Sequence, residues 1–456
     1  MKKIYKYLTF AALTAMILVS CRKEETLNVD INSLNPDNPT TNTPLNQWLT
    51  SNFLDTYNID VIYRYNRYYH STTANITPPK LTSVQPTMQI VLDGFINPYR
   101  KIAGATFTKK FMPKEWILFG SYSYDNLYDH GVAGTASAGR RITLYGLNEY
   151  RPMPDGQFYA WDRQRIMHHE FAHILNQIIP IPVDFEPISK GLYKQPFINT
   201  PADVARANGF INSYASGSSV EDYAESVTYP LVNGQAWYDA YANGSTAEGK
   251  NRLIQKELNV ITYFTALGVN YKELQKEVQL YMKNTLNKQE AKFPYWLGQK
   301  LWSSMTVNLN SDVYTTYGKS AEFETVYNEA RANVNAIPFY GLTFNFIKFN
   351  FTSATAMNME ISFNQGSAAH LANYAFNMAI NQTTDEIVFT KETTAPWVGN
   401  AGLLALPVAP LLNYLTGNTF VGDWLPVSIN GDNYMKFGGF SVKGAPTNYF
   451  YGPLAY

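Results

Sequence analysis

The sequence predicts an α+β chain, with helices dominating before about residue 310 and strands after it. Three observations carry this reading. Met167, Phe171, Ile174, Leu175 and Ile178 recur at helical spacing, enough to bury one side of a helix. Leu253, Leu258, Ile261, Phe264 and Leu267 form a second apolar face of the same period. Beyond residue 310 the period drops to two: residues 340–351 alternate, as do Met357 to Phe363, with Gly, Asn and Thr between the runs.

In chain order, residues 1–20 read as a secretion signal. Lys2, Lys3 and Lys6 precede the apolar run Leu8 to Val19, which is too short for an ordinary membrane span. Leu18-Val19-Ser20-Cys21 matches a bacterial lipobox, and Cys21 is the single Cys, so no disulfide can form within the chain. Residues 21–44 are polar and Pro/Asn/Thr-rich, the composition of a flexible tether. Residues 45–310 form the expected first domain. Trp48, Leu49, Phe53 and Leu54 suggest a short helix, Ile59 to Tyr65 a strand, and residues 86–96 a helix. Trp116 to Tyr124 and Arg141 to Tyr145 suggest further strands, the second being the candidate sheet edge beside a substrate cleft. His130 falls in the loop between them and reads as structural.

Helices follow. Asp162 is the expected cap of the first, and Pro180 and Pro182 end it. Thr200 with Asp203, and Ser219 with Asp222, read as capping boxes of two more. The long loop 181–199 could line a cleft. Residues 311–456 form a β-rich second domain. Leu403 to Leu412, interrupted by Pro407 and Pro410, reads as core, and His370 as structural.

Composition narrows the function classes. Lys and Arg total 36 against 36 Asp and Glu, so nothing points to nucleic acid. Hydrophobic residues make up 45%, ample for a core, while charged residues reach only 16%, a texture that suits an extracytoplasmic protein.

The chemistry concentrates at residues 168–173, His-His-Glu-Phe-Ala-His. The chain has six His, and three lie here, so a chance match to His-Glu-x-x-His is improbable. On a helix His169 and His173 share a face one turn apart and can reach one metal ion. Glu170 can act on a water beside it. His168 points elsewhere and receives no role. A third ligand is needed. The metzincin continuation would put Gly at 176 and His at 179; Asn176 and Ile179 exclude it. The gluzincin alternative takes a Glu from a later helix, and Glu221 and Glu225 share one face there. Glu221 is favoured as ligand and Glu225 as the acceptor that orients a ligand His; the reverse is the alternative. Tyr214, seven residues before Glu221, is a candidate donor to an oxyanion.

A resemblance extends this reading. HHEFAH (168–173), SYASGSSVEDYAES (213–226), the helical stretch 249–278 and LNQWLTSNFLDTYNIDVIYRYN (45–66) resemble the zinc-binding metallopeptidase lipoproteins, also called substrate import-associated zinc metallohydrolase lipoproteins. The likeness spans roughly residues 45–290. It implies a zincin-like domain holding Zn²⁺ through His169, His173 and Glu221, with Glu170 as base and a peptide or protein as substrate. It also implies cleavage before Cys21, lipid attachment there, and association with a TonB-dependent nutrient importer. Lys23-Glu24-Glu25 resembles an export signal of surface lipoproteins, so the expected location is the outer membrane, facing outward, with a periplasm-facing orientation as the alternative. The rival class is a surface lipoprotein that captures peptides or glycans without cleaving them.

Overall fold

Four short strands and a layer of helices frame the motif. The computed structural model describes residues 43–124, 131–394 and 397–456. The expectations for the leader, for Cys21, for most of the tether and for His130 lie outside the described residues. Residues 43–48 belong to a unit of their own, and residues 49–456 form one compact unit.

Strands β1 (Asp60–Ile62), β2 (Glu115–Leu118), β3 (Gly134–Ser137) and β4 (Arg141–Leu144) pair in the order β1-β2-β4-β3. The first three neighbours run parallel, with Val61 opposite Trp116 and Trp116 opposite Ile142. Trp116, Ile117, Leu118, Ile142 and Leu144 are all buried, the near-continuous apolar run expected of parallel strands covered on both faces. This corrects two expectations. The Arg141 strand is interior, because β3 pairs with it antiparallel and takes the edge. The strand begun at Glu115 ends at Leu118, well short of Tyr124. Gly134, Thr135, Ala136 and Ser137 carry too little apolar surface to read as a strand; pairing with β4 makes them one.

Helix α1 (Leu81–Val91) passes through a wide turn, residues 92–96, into α2 (Asn97–Phe111), so helix covers more than the expected 86–96. The motif helix is α3 (Gln157–Ile178), 22 residues long. It starts at Gln157, after Gly156 and without a side-chain cap, five residues before Asp162. Asp162 instead accepts from Arg165 at 3.2 Å within the helix. Met167, Phe171, Ile174 and Leu175 are buried as expected, while Ile178 is exposed. The short helix Ala202–Ala207 follows Pro201, with no side-chain cap, so Thr200 and Asp203 form no box.

Three more helices close the core: α4 (Ser219–Asn233), α5 (Ala247–Ala266) and α6 (Tyr271–Asn284). Pro230 inside α4 lacks the N–H a helix needs. Side chains of α6 serve the backbone there: Tyr271, Gln275 and Gln279 each donate to an α4 carbonyl at 2.7 Å. The inward face of α5 is Leu253, Lys256, Val260 and Phe264; Leu258, expected inside, is 58% exposed.

The β-rich part begins before residue 311. Strand β5 (Ser304–Val307) joins β6 (Leu342–Ser353), β7 (Ala356–Gln365), β8 (Ala368–Asn381), β9 (Glu386–Lys391), β10 (Thr419–Asp423), β11 (Phe437–Val442) and β12 (Ala445–Ala455) in a closed antiparallel barrel, order β10-β11-β12-β5-β6-β7-β8-β9. Closure leaves no open edge. Phe349, Phe389, Phe420, Phe440 and Phe450 are all buried, with Phe450 stacked between Phe349 and Phe440 at 5.2 and 5.1 Å. Leu404, Leu411 and Leu412 are buried against this core, as expected, while Leu403 and Leu406 of the same run are exposed. His370 stacks on Phe363. Lys283 reaches Asp423 at 2.7 Å and Gly431 donates to Glu273 at 2.6 Å, joining α6 to the barrel. No helix among the described residues is long and apolar enough to cross a membrane.

Candidate metal centre

His169 and His173 leave α3 one turn apart, beside its apolar stripe. Their Nε2 atoms lie 3.0 Å from each other. Glu221 Oε2 lies 3.2 Å from both. His168 points the other way, between Phe95 and Tyr99, where burial pulls its pKa down to about 3 and keeps it neutral.

Glu221 is delivered by the first turn of α4. Ser218, not Ser219, is the cap: its hydroxyl accepts from the Glu221 backbone N–H at 3.3 Å. Asp222 is therefore no partner in a capping box. A step of about 100° around the helix turns it inward, onto Lys256 at 2.8 Å, and both side chains are fully buried. Tyr193 also donates to Asp222, at 2.9 Å, and Lys256 donates to the Gly209 carbonyl at 2.7 Å. That buried network fixes the helix start that carries Glu221.

Glu225, one turn on, lies 2.7 Å from His169 Nδ1 through Oε1. Its other oxygen accepts from Asn212 at 2.6 Å. A His ring that donates from Nδ1 to a carboxylate carries its lone pair on Nε2. In this centre His169 Nε2 faces the ring nitrogen of His173 and a carboxylate oxygen, where it holds either a proton or a metal ion. Burial lowers the basicity of His169, but Glu221 and Glu225 more than reverse this and push its pKa up to about 10. The pocket is thus electron-rich and favours a cation at the convergence point. The separations, 3.0 and 3.2 Å, approach the ligand–ligand edge of a zinc tetrahedron, about 3.3–3.4 Å for nitrogen ligands. Among the described residues this trio is the one group of His, Cys, Asp and Glu whose donor atoms all lie within 4.8 Å of one another. Two imidazoles and a carboxylate are a donor set that fits zinc.

Glu170 is buried next to the trio. Burial raises its pKa; the two imidazoles and the Ala136 backbone N–H act in the opposite direction. Ala136 belongs to the edge strand β3. The strand approaches so closely because residue 134 is Gly: a Cβ there would lie 2.3 Å from Ile166 Cγ2. Tyr214 borders the site with its ring 5.9 Å from that of His169 and its hydroxyl donating to Glu221. Burial and the Glu221 charge raise the pKa of that hydroxyl, so it stays a donor. Phe197 packs edge-on against Tyr214 at 5.0 Å, and Gln195 donates to Gly217 at 2.9 Å, so the loop 181–199 braces this turn.

A family of proteins described as "Putative zinc-binding metallo-peptidase" matches residues 38–272, more than half of the chain. This chain belongs to that family. A crystal structure of a "putative zinc-binding metallo-peptidase" from Bacteroides caccae is similar at 28% identity, covering 51% of this chain and 89% of that one, with a TM-score of 0.44. Among curated proteins, none matches.

Sequence reasoning about this family member missed three parts of the centre. Asn212 links Glu225 to the Tyr214 turn, since its Oδ1 accepts from the Ala215 N–H at 2.8 Å; nothing in the sequence marks it. Gly134 and Ala136 sit in a stretch without strand character. Lys256 had a signal: a Lys on the apolar face of a helix implies a buried acid.

Proposed function

We propose that this chain is a zinc-dependent peptidase of the gluzincin type. The observation that carries the reading is the convergence of His169 Nε2, His173 Nε2 and Glu221 Oε2 at 3.0–3.2 Å beside the buried carboxylate of Glu170. His169, His173 and Glu221 hold the metal. When bound, zinc supplies a Lewis acid for the scissile carbonyl and brings the pKa of a water near neutrality. Glu170 takes a proton from the attacking water at its carboxylate and hands it to the departing amine. Its raised pKa suits both halves of that task. Glu225 holds the His169 ring in the tautomer that leaves Nε2 free. Tyr214 turns its hydroxyl from Glu221 toward the oxyanion as charge develops. The outer edge of β3 binds an extended peptide by strand addition.

The test is hydrolysis of a peptide library by the wild type and Glu170→Gln. Loss of cleavage at unchanged zinc content supports the assignment. Undiminished cleavage by the variant would end it. We also propose that lipid on Cys21 holds the chain at the outer membrane, facing outward beside a nutrient importer. The leader, the lipobox and the Lys23-Glu24-Glu25 run support this. Metabolic palmitate labelling that persists in Cys21→Ser would refute the anchor.

A further inference from the structure

A cleft of about 580 Å³ opens at the start of α3. Trp161, on its wall, lies two helical turns, roughly 12 Å, before His169. One wall is aromatic. Phe158 projects into solvent, 72% exposed, with its ring 5.8 Å from that of Trp161. Trp161 is held by its indole N–H, which donates to Asn233 at 3.2 Å. Leu286 and Tyr295 extend the apolar surface.

The cleft also carries polar groups that have not paired with each other. The Lys288 ammonium sits 4.3 Å over the Trp161 ring and has no carboxylate or carbonyl partner among the described residues. Glu290, two residues on, lines the same cleft and forms no ion pair with it. The Oε1 atom of Gln289 is buried and accepts no hydrogen bond. Burial pulls the Lys288 pKa down to about 8, with Glu290 acting in the opposite direction, as for a cation short of a counter-charge. The first turn of α3, Gln157 and Phe158, borders the cleft without a side-chain cap, which adds positive potential.

We propose that this cleft binds a zwitterionic apolar α-amino acid or dipeptide. The ligand carboxylate meets Lys288, its ammonium meets Glu290 and Gln289 Oε1, and its side chain lies against Phe158 and Trp161. The volume suits such a ligand. A purely anionic aromatic ligand would leave Glu290 opposed by like charge, and a neutral glycan would leave both charges without partners. The assignment rests on this cleft alone and does not require an active metal centre.

The test is calorimetric titration of the full chain with L-phenylalanine, L-phenylalaninamide, 3-phenylpropanoate and methyl glucoside. L-phenylalanine binds saturably, and the two analogues lacking one charge bind about tenfold more weakly or worse. Lys288→Met and Phe158→Ala each weaken L-phenylalanine binding at least about tenfold, while melting temperature and metal content stay near wild type. Absence of saturable L-phenylalanine binding overturns the proposal. So does equal binding of either analogue, preference for the glucoside, or indifference to both substitutions. Because Glu170→Gln leaves this cleft untouched, it retains binding even if the peptidase reading fails.

Discussion

Replacing Asn212 with Ala tests how the centre is held. Asn212 donates to Glu225 at 2.6 Å and accepts from the Ala215 N–H at 2.8 Å. The first bond has a charged acceptor, worth about 1.5–3 kcal/mol. Losing the second leaves the N–H of a buried residue without an acceptor, at a further cost of about 1–3 kcal/mol. Glu225 in turn fixes His169 at 2.7 Å, so part of that energy appears as ligand misalignment. Removing a group that acts through a metal ligand weakens metal binding by roughly 10–100-fold. Competition for zinc against a chromophoric chelator at neutral pH reads this directly, alongside kcat/KM. Asn212→Asp sets two carboxylates face to face and is expected to be no better than Ala. Wild-type zinc affinity and turnover in Asn212→Ala, with only a lowered melting temperature, would show that Asn212 braces a loop and nothing more.

Further outcomes follow from the same geometry. Lys256→Met strands Asp222 as an uncompensated buried acid and costs about 3–5 kcal/mol in denaturant unfolding, most of which Asp222→Asn restores in the double variant; a neutral single variant refutes the pairing. Tyr214→Phe keeps the zinc and lowers kcat by about 100-fold with little change in KM; an unchanged kcat limits Tyr214 to supporting Glu221. The pH dependence of stability tests Lys288. Its folded-state pKa of about 8 lies below the ordinary 10.5, so the folded chain binds fewer protons than the unfolded one between those values. The penalty is fully present below pH 8 and is relieved as pH rises toward 10.5. Relative to Lys288→Met, the wild type therefore gains about 1–2 kcal/mol across that window, allowing for solvent at the half-buried ammonium. Parallel curves for the two proteins would contradict it.

The parts of the centre that were legible in the sequence are those set by local spacing. Two His at i and i+4 face one way on any helix, and so do Glu221 and Glu225. What local spacing cannot supply is the partner across space. The strand facing Glu170 is formed by Gly134 to Ser137, which pair with β4 and carry almost no apolar surface of their own. The Arg141 strand looked like an edge because its neighbour looked like a loop. Helix starts slipped for a similar reason: Ser218 and Ser219 are equivalent as letters, and only the extended backbone of Ser218 selects it as the cap. Lys256 stands on the apolar face of its helix, which implies a buried acid, but only the fold shows that the acid is Asp222. Alternation in residues 340–363 announced strands, but closure into a barrel depends on β9 meeting β10 across a helical insertion, a pairing of distant residues.

Metal analysis of purified protein is the most direct check on the centre itself. The chain and Glu170→Gln should each carry one zinc, while His169→Ala and Glu221→Ala lose it at equal folding. A zinc-loaded Glu221→Ala protein, or a wild type that binds no divalent metal when supplied with it, would mean that these three side chains do not form a metal site.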